Sequence, residues 1–234
     1  MTIRILGYLG SFLLFSLAAC TPVELQPPPA SPQPLRVEIT PSLEPLFQEK
    51  IQNCALQNPR SAVFLDVVPS ASLDPERADI IIQIGEPSKG PAGFAVQLGW
   101  EEIILIAHPD VEIQDLTLAK IRGIYTASPP SLQSWTYPEN HEIRRFFDQI
   151  ILGNEPISPF THIAPQPGDM IAAVSQEPGS IGYALQSWIP GDIQTFTLGN
   201  AVQTALRQPI LARSLQEPAG PARDFLICLQ NLEE

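Results

Sequence analysis

Positive charge is scarce in this chain. Its 234 residues include 13 lysines and arginines against 25 aspartates and glutamates, which gives a formal net charge of −12. We therefore expect no nucleic-acid partner, because phosphate backbones are bound by clustered cations. Glycine and cysteine are also few, at 14 and 3 residues. These counts exclude collagen-like and disulfide-dense scaffolds.

Sequence motifs of catalysis and metal binding are also missing. The chain has no Gly-x-Ser-x-Gly elbow, no phosphate loop and no His-Glu-x-x-His pair. His108, His141 and His162 have no cysteine or carboxylate partner at metal-ligand spacing. We therefore predict no catalytic residue, no metal site and no cofactor, with an exported enzyme as a remaining alternative.

Apolar residues and proline are abundant. Hydrophobic residues make up 44% of the chain, which is enough to fold one ordinary domain or one split, two-lobed domain. The 26 prolines represent roughly twice the average usage. They predict many short segments and few long helices.

The N-terminus has the pattern of an export signal. Arg4 precedes an apolar stretch, residues 5–19, that ends in Leu-Ala-Ala directly before Cys20. The stretch is short for a membrane span but suits the core of a secretory signal. It resembles the lipobox of bacterial lipoproteins, which implies a signal peptide over residues 1–19 and lipid, including palmitate, on Cys20. A transmembrane anchor and a plain cleaved signal are the alternatives.

A proline-rich linker follows the cysteine. Residues 20–35 contain six prolines, so the segment cannot be helical and favours an extended polyproline conformation. At about 3.1 Å per residue, such a stalk would reach roughly 45 Å. We therefore expect a lipid anchor in the bacterial cell membrane that holds residues 36–234 on the extracytoplasmic side.

Two cysteines remain in the globular part. Cys54 and Cys228 each lie on an apolar stripe with helical spacing, near opposite ends of that part. An even pair in an oxidising compartment can form a disulfide, which is one of two alternatives for these cysteines. The other is two buried free thiols that pack as small apolar groups.

Strand-like and helix-like segments alternate along the globular part. The strand patterns cover residues 35–39, 62–68, 80–84, 95–99, 103–107, 180–184 and 193–198. The helical patterns cover residues 43–56, 117–125, 143–151, 169–175 and 221–232. This alternation predicts an α/β fold with mostly parallel sheets.

Three segments carry a resemblance to a known family. They are residues 100–109, residues 115–125 with Trp135 some way behind, and residues 174–183, which contain a Pro-Gly-Ser-Ile-Gly-Tyr stretch. In this order and spacing they resemble the phosphate-binding-type periplasmic solute-binding proteins of ABC transporters.

The resemblance implies a type II periplasmic-binding-protein fold, a hinged clamshell with two lobes. One lobe would comprise residues 36–105 and 200–234, and the other residues 106–199. A small solute, phosphate or another anion, would bind between the lobes. The protein would be the monomeric substrate-binding component of an ABC importer and would deliver that solute to a permease.

The chain also departs from the family pattern. Where the family has a turn rich in serine and threonine, Pro41 removes one N–H donor and Glu44 adds negative charge. The Ser-Gly-Thr loop that follows the family's tryptophan is absent, because residues 135–145 run directly into a helix. These departures favour an alternative function, a non-transporting sensor or scaffold lipoprotein with a degenerate phosphate-binding-like cleft.

Four residues are candidates for contact with a ligand. Ser42 could offer a hydroxyl to an anion, or it could simply cap the first helix. Glu86 follows a strand where α/β sheets place ligands, or it is an ordinary solvated carboxylate. Trp135 could line the cleft or fill the core. Arg144 could be the cation for a bound anion or a surface arginine.

Overall fold

The computed structural model describes residues 32–86, 93–113 and 116–231. The predicted signal, Cys20 and the linker up to residue 31 lie outside the described residues. The described residues form one compact unit. Among the described residues, none of the helices has both the length and the apolar character needed to cross a membrane.

The described residues form nine strands and six α-helices. The strands are β1 (Gln33–Ile39), β2 (Ser61–Val67), β3 (Ile80–Ile84), β4 (Phe94–Ala107), β5 (Gln133–Thr136), β6 (His162–Ile163), β7 (Ser180–Leu185), β8 (Gln194–Phe196) and β9 (Arg207–Ser214). The helices are α1 (Glu44–Gln57), α2 (Leu118–Ala127), α3 (Glu142–Phe147), α4 (Pro167–Gln176), α5 (Asn200–Leu206) and α6 (Gly220–Asn231). A π-helical turn, Asp148–Leu152, continues α3.

The strands run in the order β2-β1-β3-β9-β4-β7-β5-β6, and β8 pairs with β4. In one half of the sheet β1 is parallel to β2 and β3, and in the other half β5 is parallel to β6 and β7. The antiparallel strands β4 and β9 connect the halves. The predicted α/β fold class is confirmed, with a group of parallel strands in each half.

A single long strand, β4, links the two halves where the sequence pattern predicted two separate strands. Residues 94–102 pair with β9, and residues 103–107 pair with β7. The pairing with β9 shifts register between Gln97 and Gly99, as at a β-bulge, which interrupts the alternation of apolar and polar side chains. Glu101 is buried, and its carboxylate accepts the Ser187 backbone N–H at 3.3 Å, so the strand continues through this acidic residue.

The predicted lobe boundaries fall within this connection. The boundary at residues 105 and 106 lies inside β4, and the boundary at residues 199 and 200 lies at the start of α5. The chain passes between the halves twice, along β4 and from β8 through α5 into β9. The division into lobes stays a prediction, because the described residues cluster as one unit.

Both halves of the sheet have buried cores. Every residue of β3 and β7 is buried, as expected for central strands covered on both faces. Four fully buried aromatic rings fill the second half, with Phe147 stacked on Tyr183 at 3.8 Å between ring centroids. These rings belong to Tyr125, Tyr137, Phe147 and Tyr183.

A disulfide between Cys54 and Cys228 joins α1 to α6. The two Cα atoms lie 5.7 Å apart, and Cys54 is fully buried. The residues are 174 positions apart in sequence, so the bond closes nearly the whole globular part into one loop.

Candidate functional site

Three parallel strands end at the same edge of the sheet. Thr40 and Ser42 follow β1, Ser70 follows β2 and Gly85 follows β3. Because β1 is parallel to both of its neighbours, these residues emerge at the carboxyl ends of the strands. Open α/β sheets bind their ligands at this edge, which makes it the candidate cleft.

The hydroxyl groups after β1 are buried and have no hydrogen bond of standard geometry in the described part of the chain. Thr40 and Ser42 are both fully buried, and neither side-chain oxygen has a hydrogen-bond partner among the described residues. The interpretation of Ser42 as a helix cap is wrong, because Leu43 occupies the cap position of α1 without a side-chain bond. The backbone carbonyl of Ser42 accepts the Trp188 indole N–H at 2.7 Å. The Ser42 side chain therefore makes no capping bond to α1.

A carboxyl group from the other half of the sheet meets these hydroxyls. Glu142 is the first residue of α3 and is only 5% exposed. Burial raises the pKa of Glu142, whereas the hydroxyls of Thr40, Ser42 and Ser70 and the charge of Arg145 partly oppose that rise. The net effect is a raised pKa, because the loss of hydration is larger than these favourable contacts.

Four polar groups form a cluster in which, among the described residues, only Ser70 has a hydrogen bond of standard geometry, from its hydroxyl to the Asn140 carbonyl at 3.0 Å. We call Thr40, Ser42, Ser70 and Glu142 the hydroxyl–carboxyl cluster. The hydroxyls influence the carboxyl group, yet the Glu142 Oε1 atom has no hydrogen bond of standard geometry in the described structure. The contacts are therefore longer or less well aligned than a strong hydrogen bond. Buried polar atoms in this state are unusual, which makes this cluster the part of the cleft that most needs an explanation.

Two further contacts from α3 close the cleft. The Arg145 guanidinium donates a hydrogen bond to the Glu86 backbone carbonyl at 3.0 Å. The Phe146 ring lies against Gly85, so closely that a Cβ atom on that glycine would overlap the ring. The Glu86 side chain is exposed, so it is the backbone of Glu86 rather than its carboxylate that takes part.

Arg144, the predicted cation for a bound anion, is engaged within the second half. Its Nε lies 2.7 Å from both carboxylate oxygens of Asp148. The same guanidinium donates to the Thr136 hydroxyl at 3.1 Å and to the Tyr137 carbonyl at 3.0 Å. Burial raises the pKa of Asp148, and the charge of Arg144 limits that rise. The guanidinium is therefore a structural cation in this arrangement.

Trp135 makes its ring contact away from the hydroxyl–carboxyl cluster. It lies on β5 and stacks on His162 of β6 with 4.9 Å between ring centroids. Its indole N–H is buried and has no hydrogen-bond partner among the described residues. The structure thus brings Ser42 and the Glu86 backbone against α3, and it places Trp135 beside the outermost strand of the sheet path.

Sequence reasoning did not identify Glu142 as a functional residue. An acidic residue in the first turn of a helix is common, because it complements the helix dipole, so the residue type gives no signal. The available signal is the missing Ser-Gly-Thr loop, whose place in the chain is taken by the start of α3. In the described part of the chain, no group of three or more histidine, cysteine or acidic residues could hold a metal ion.

Comparison with known proteins gives matches in fold only. No protein-family model matches the chain, and no curated protein matches its sequence. A Clostridium perfringens protein described as a phosphate ABC transporter substrate-binding protein, solved with bound phosphate, has a TM-score of 0.72 at 16% identity, over 84% of this chain and 93% of that chain. An ABC-type phosphate transport receptor from Vibrio cholerae has a TM-score of 0.67 at 15% identity, with the same coverages.

Regulatory domains also share the fold. The CcmR regulatory domain of Synechocystis, in complex with 2-PG, has a TM-score of 0.65 at 11% identity, over 86% of this chain and 97% of that chain. These similar structures are thus binding proteins and a regulatory domain, and identities this low establish the fold alone. The chain has the type II periplasmic-binding-protein fold, which phosphate transport receptors share with regulatory domains.

Proposed function

We propose that the chain is a lipid-anchored extracytoplasmic lipoprotein that uses this fold as a sensor or scaffold, with a degenerate phosphate-binding-like cleft. The observation that carries the proposal is Glu142, buried in the cleft where an anion would otherwise meet the hydroxyls of Thr40 and Ser42. Its carboxyl group takes up space and, when ionised, repels anions. The cation Arg144 is already paired with Asp148.

The lipid anchor belongs to the same proposal. Cys20 and the small residues before it support lipidation, and the prolines between residues 22 and 32 support a stalk that keeps the domain off the membrane. The predicted linker bound at residue 35 is wrong, because residues 33–35 pair with β2 as the start of β1. We propose a monomer on the outer face of the bacterial cell membrane, without catalytic activity. Mass spectrometry of the N-terminal peptide tests the anchor: a diacylated Cys20 is expected, and an unmodified residue 20 would contradict it.

Phosphate binding by the full chain in detergent micelles tests the cleft. A specific ligand at about one hundred times its dissociation constant contributes about 2.7 kcal/mol to stability, which raises the melting temperature of a domain of this size by roughly 5–10 °C. We expect no such rise with phosphate at pH 7.5. The Clostridium perfringens protein with bound phosphate is the positive control, and a specific rise in this chain would overturn the proposal.

A second candidate function is the substrate-binding component of an ABC importer for a solute other than phosphate. The similarity in fold to phosphate transport receptors favours it, as do the unpaired hydroxyls of Thr40 and Ser42. The same thermal-shift experiment with amino acids, amines, sugars and oxyanions distinguishes the two functions. A specific rise that disappears in Ser42→Ala would favour the importer.

A further inference from the structure

We propose that Glu142 is an internal ligand, and that the site it occupies would bind a free small oxyanion if its side chain were removed. The donors of the site are the unpaired hydroxyls of Thr40 and Ser42, with Ser70 and the Arg145 guanidinium close by. This inference rests on the proposed function, because it takes the cleft of the native chain to be closed to phosphate.

The donors of the site are suited to an oxyanion. The Thr40 and Ser42 hydroxyls lie near one carboxyl group, and each can donate a hydrogen bond to an oxygen atom. The Ser70 hydroxyl also lies near this group, but it donates its proton to the Asn140 carbonyl at 3.0 Å. Thr40 and Ser42 are fully buried and have no other side-chain partner among the described residues. Arg145 supplies a nearby positive charge, and one of its N–H groups donates a hydrogen bond to the Glu86 carbonyl. Acetate, formate and phosphate all carry the oxygen atoms that such donors bind.

The position of Glu142 in the fold makes it a ligand rather than a surface residue. It belongs to α3, in the half of the sheet formed by β5, β6 and β7, yet its carboxyl group meets hydroxyls that follow β1 and β2 in the other half. Two neighbours on the same helix reinforce this placement, because Arg145 contacts the Glu86 backbone and Phe146 packs on Gly85. A group from one half thus fills the site of the other half.

Removal of the side chain and its replacement in solution test the inference. We would use the full chain in detergent micelles with Glu142→Ala, which removes the carboxyl group and leaves space in the site. Glu139→Ala is the matched control, because Glu139 is an exposed glutamate just before α3. Thermal unfolding at pH 7.5 would be compared in sodium acetate, sodium formate and sodium phosphate, with sodium chloride at equal ionic strength as the reference.

We expect a gain in melting temperature that is specific to the Glu142→Ala variant. At about one hundred times the dissociation constant the rise should be roughly 5–10 °C over chloride. In the double variant Glu142→Ala, Ser42→Ala, the same rise in melting temperature should need at least about ten times the oxyanion concentration. If Glu142→Ala does not fold, Glu142→Ser gives the same test with a smaller space.

The results separate this inference from the proposed function. If neither the native chain nor the Ala and Ser variants respond to the oxyanions, Glu142 is not an internal ligand, while the degenerate cleft still stands. If the native chain itself responds to phosphate and Ser42→Ala removes that response, both proposals fail. A response of equal size in Glu139→Ala also overturns the inference, because binding would then lie elsewhere.

Discussion

Closure of the cleft can be tested at Gly85, where the backbone meets Phe146. Gly85 has a φ of +67°, and a Cβ atom placed on it would lie 2.9 Å from two carbon atoms of the Phe146 ring and closer still to a third. Gly85→Ala should cost about 1 kcal/mol for the left-handed backbone. Overpacking against the ring adds about 1–3 kcal/mol. The total, about 2–4 kcal/mol, should lower the melting temperature of the full chain by about 8 °C.

A double-mutant cycle isolates the contribution of the ring. In a Phe146→Ala background the overlap disappears, so Gly85→Ala should then cost only about 1 kcal/mol, and the coupling energy should be about 1–3 kcal/mol. Gly191→Ala is the matched control, because a Cβ atom there meets nothing within 4 Å. It should change stability by about 0.5 kcal/mol or less. Equal costs of Gly85→Ala in both backgrounds would refute the contact and with it the closed cleft.

Three further predictions concern charge and covalent structure. Burial raises the Glu142 pKa above 4.5, so this group contributes stability below about pH 4.5 and loses it as the pH rises through the raised pKa. The melting temperature of Glu142→Gln should therefore rise relative to that of the native chain as the pH increases. A difference in melting temperature that stays constant from pH 4 to pH 8 would contradict this. Replacing Cys54 and Cys228 by serine should cost about 5 kcal/mol, the chain-entropy value for their separation of 174 residues. An unchanged free energy of unfolding in denaturant would contradict this contribution of the disulfide. Arg144→Ala should cost about 2 kcal/mol by leaving Asp148 half-buried without its cation, and calorimetry that shows no loss would contradict the pairing.

The sequence predicted elements best where one physical requirement dominates. The run Ile-Ile-Ile-Gln-Ile was predicted as a buried strand over residues 80–84, and β3 has these bounds. Its near-continuous apolar pattern is what a central strand covered on both faces needs. The helix predicted over residues 43–56 differs from α1 by one residue at each end, since its apolar spacing is equally clear.

Long-range pairing explains what the sequence could not show. No strand was predicted over β9, and the segment contains Pro209, a residue type that argues against a strand in the middle of a sheet. In the structure Pro209 lies opposite Trp100 of β4, and its carbonyl accepts the Gly85 N–H at 2.7 Å. The strand thus lacks only one N–H donor, and its remaining residues pair with β3 and β4. Only the tertiary arrangement reveals that this loss is tolerated.

The candidate site was harder to predict for a different reason. Ser42, Glu86, Trp135 and Arg144 were selected one at a time by residue type and position along the chain. A cleft, however, is defined by which groups face one another across the two halves of the sheet. Glu142 lies near Ser42 because α3 begins at this glutamate. The resemblance to phosphate-binding proteins instead implies a Ser-Gly-Thr loop, with hydrogen-bond donors, in this part of the chain.

A carboxyl group tethered in the site lowers the apparent affinity of a free solute that competes for the same site. The Glu142 carboxyl group is held beside its hydroxyl partners by the chain, and tethered groups commonly act at effective concentrations in the millimolar range. A solute binds only the fraction of molecules whose site is open, so a site open in about one molecule in a thousand binds about a thousandfold more weakly. An anion also gains nothing from Arg144, whose guanidinium is bound to Asp148. For these reasons a fold shared with phosphate receptors does not imply phosphate uptake, and the removal of one side chain is the decisive perturbation.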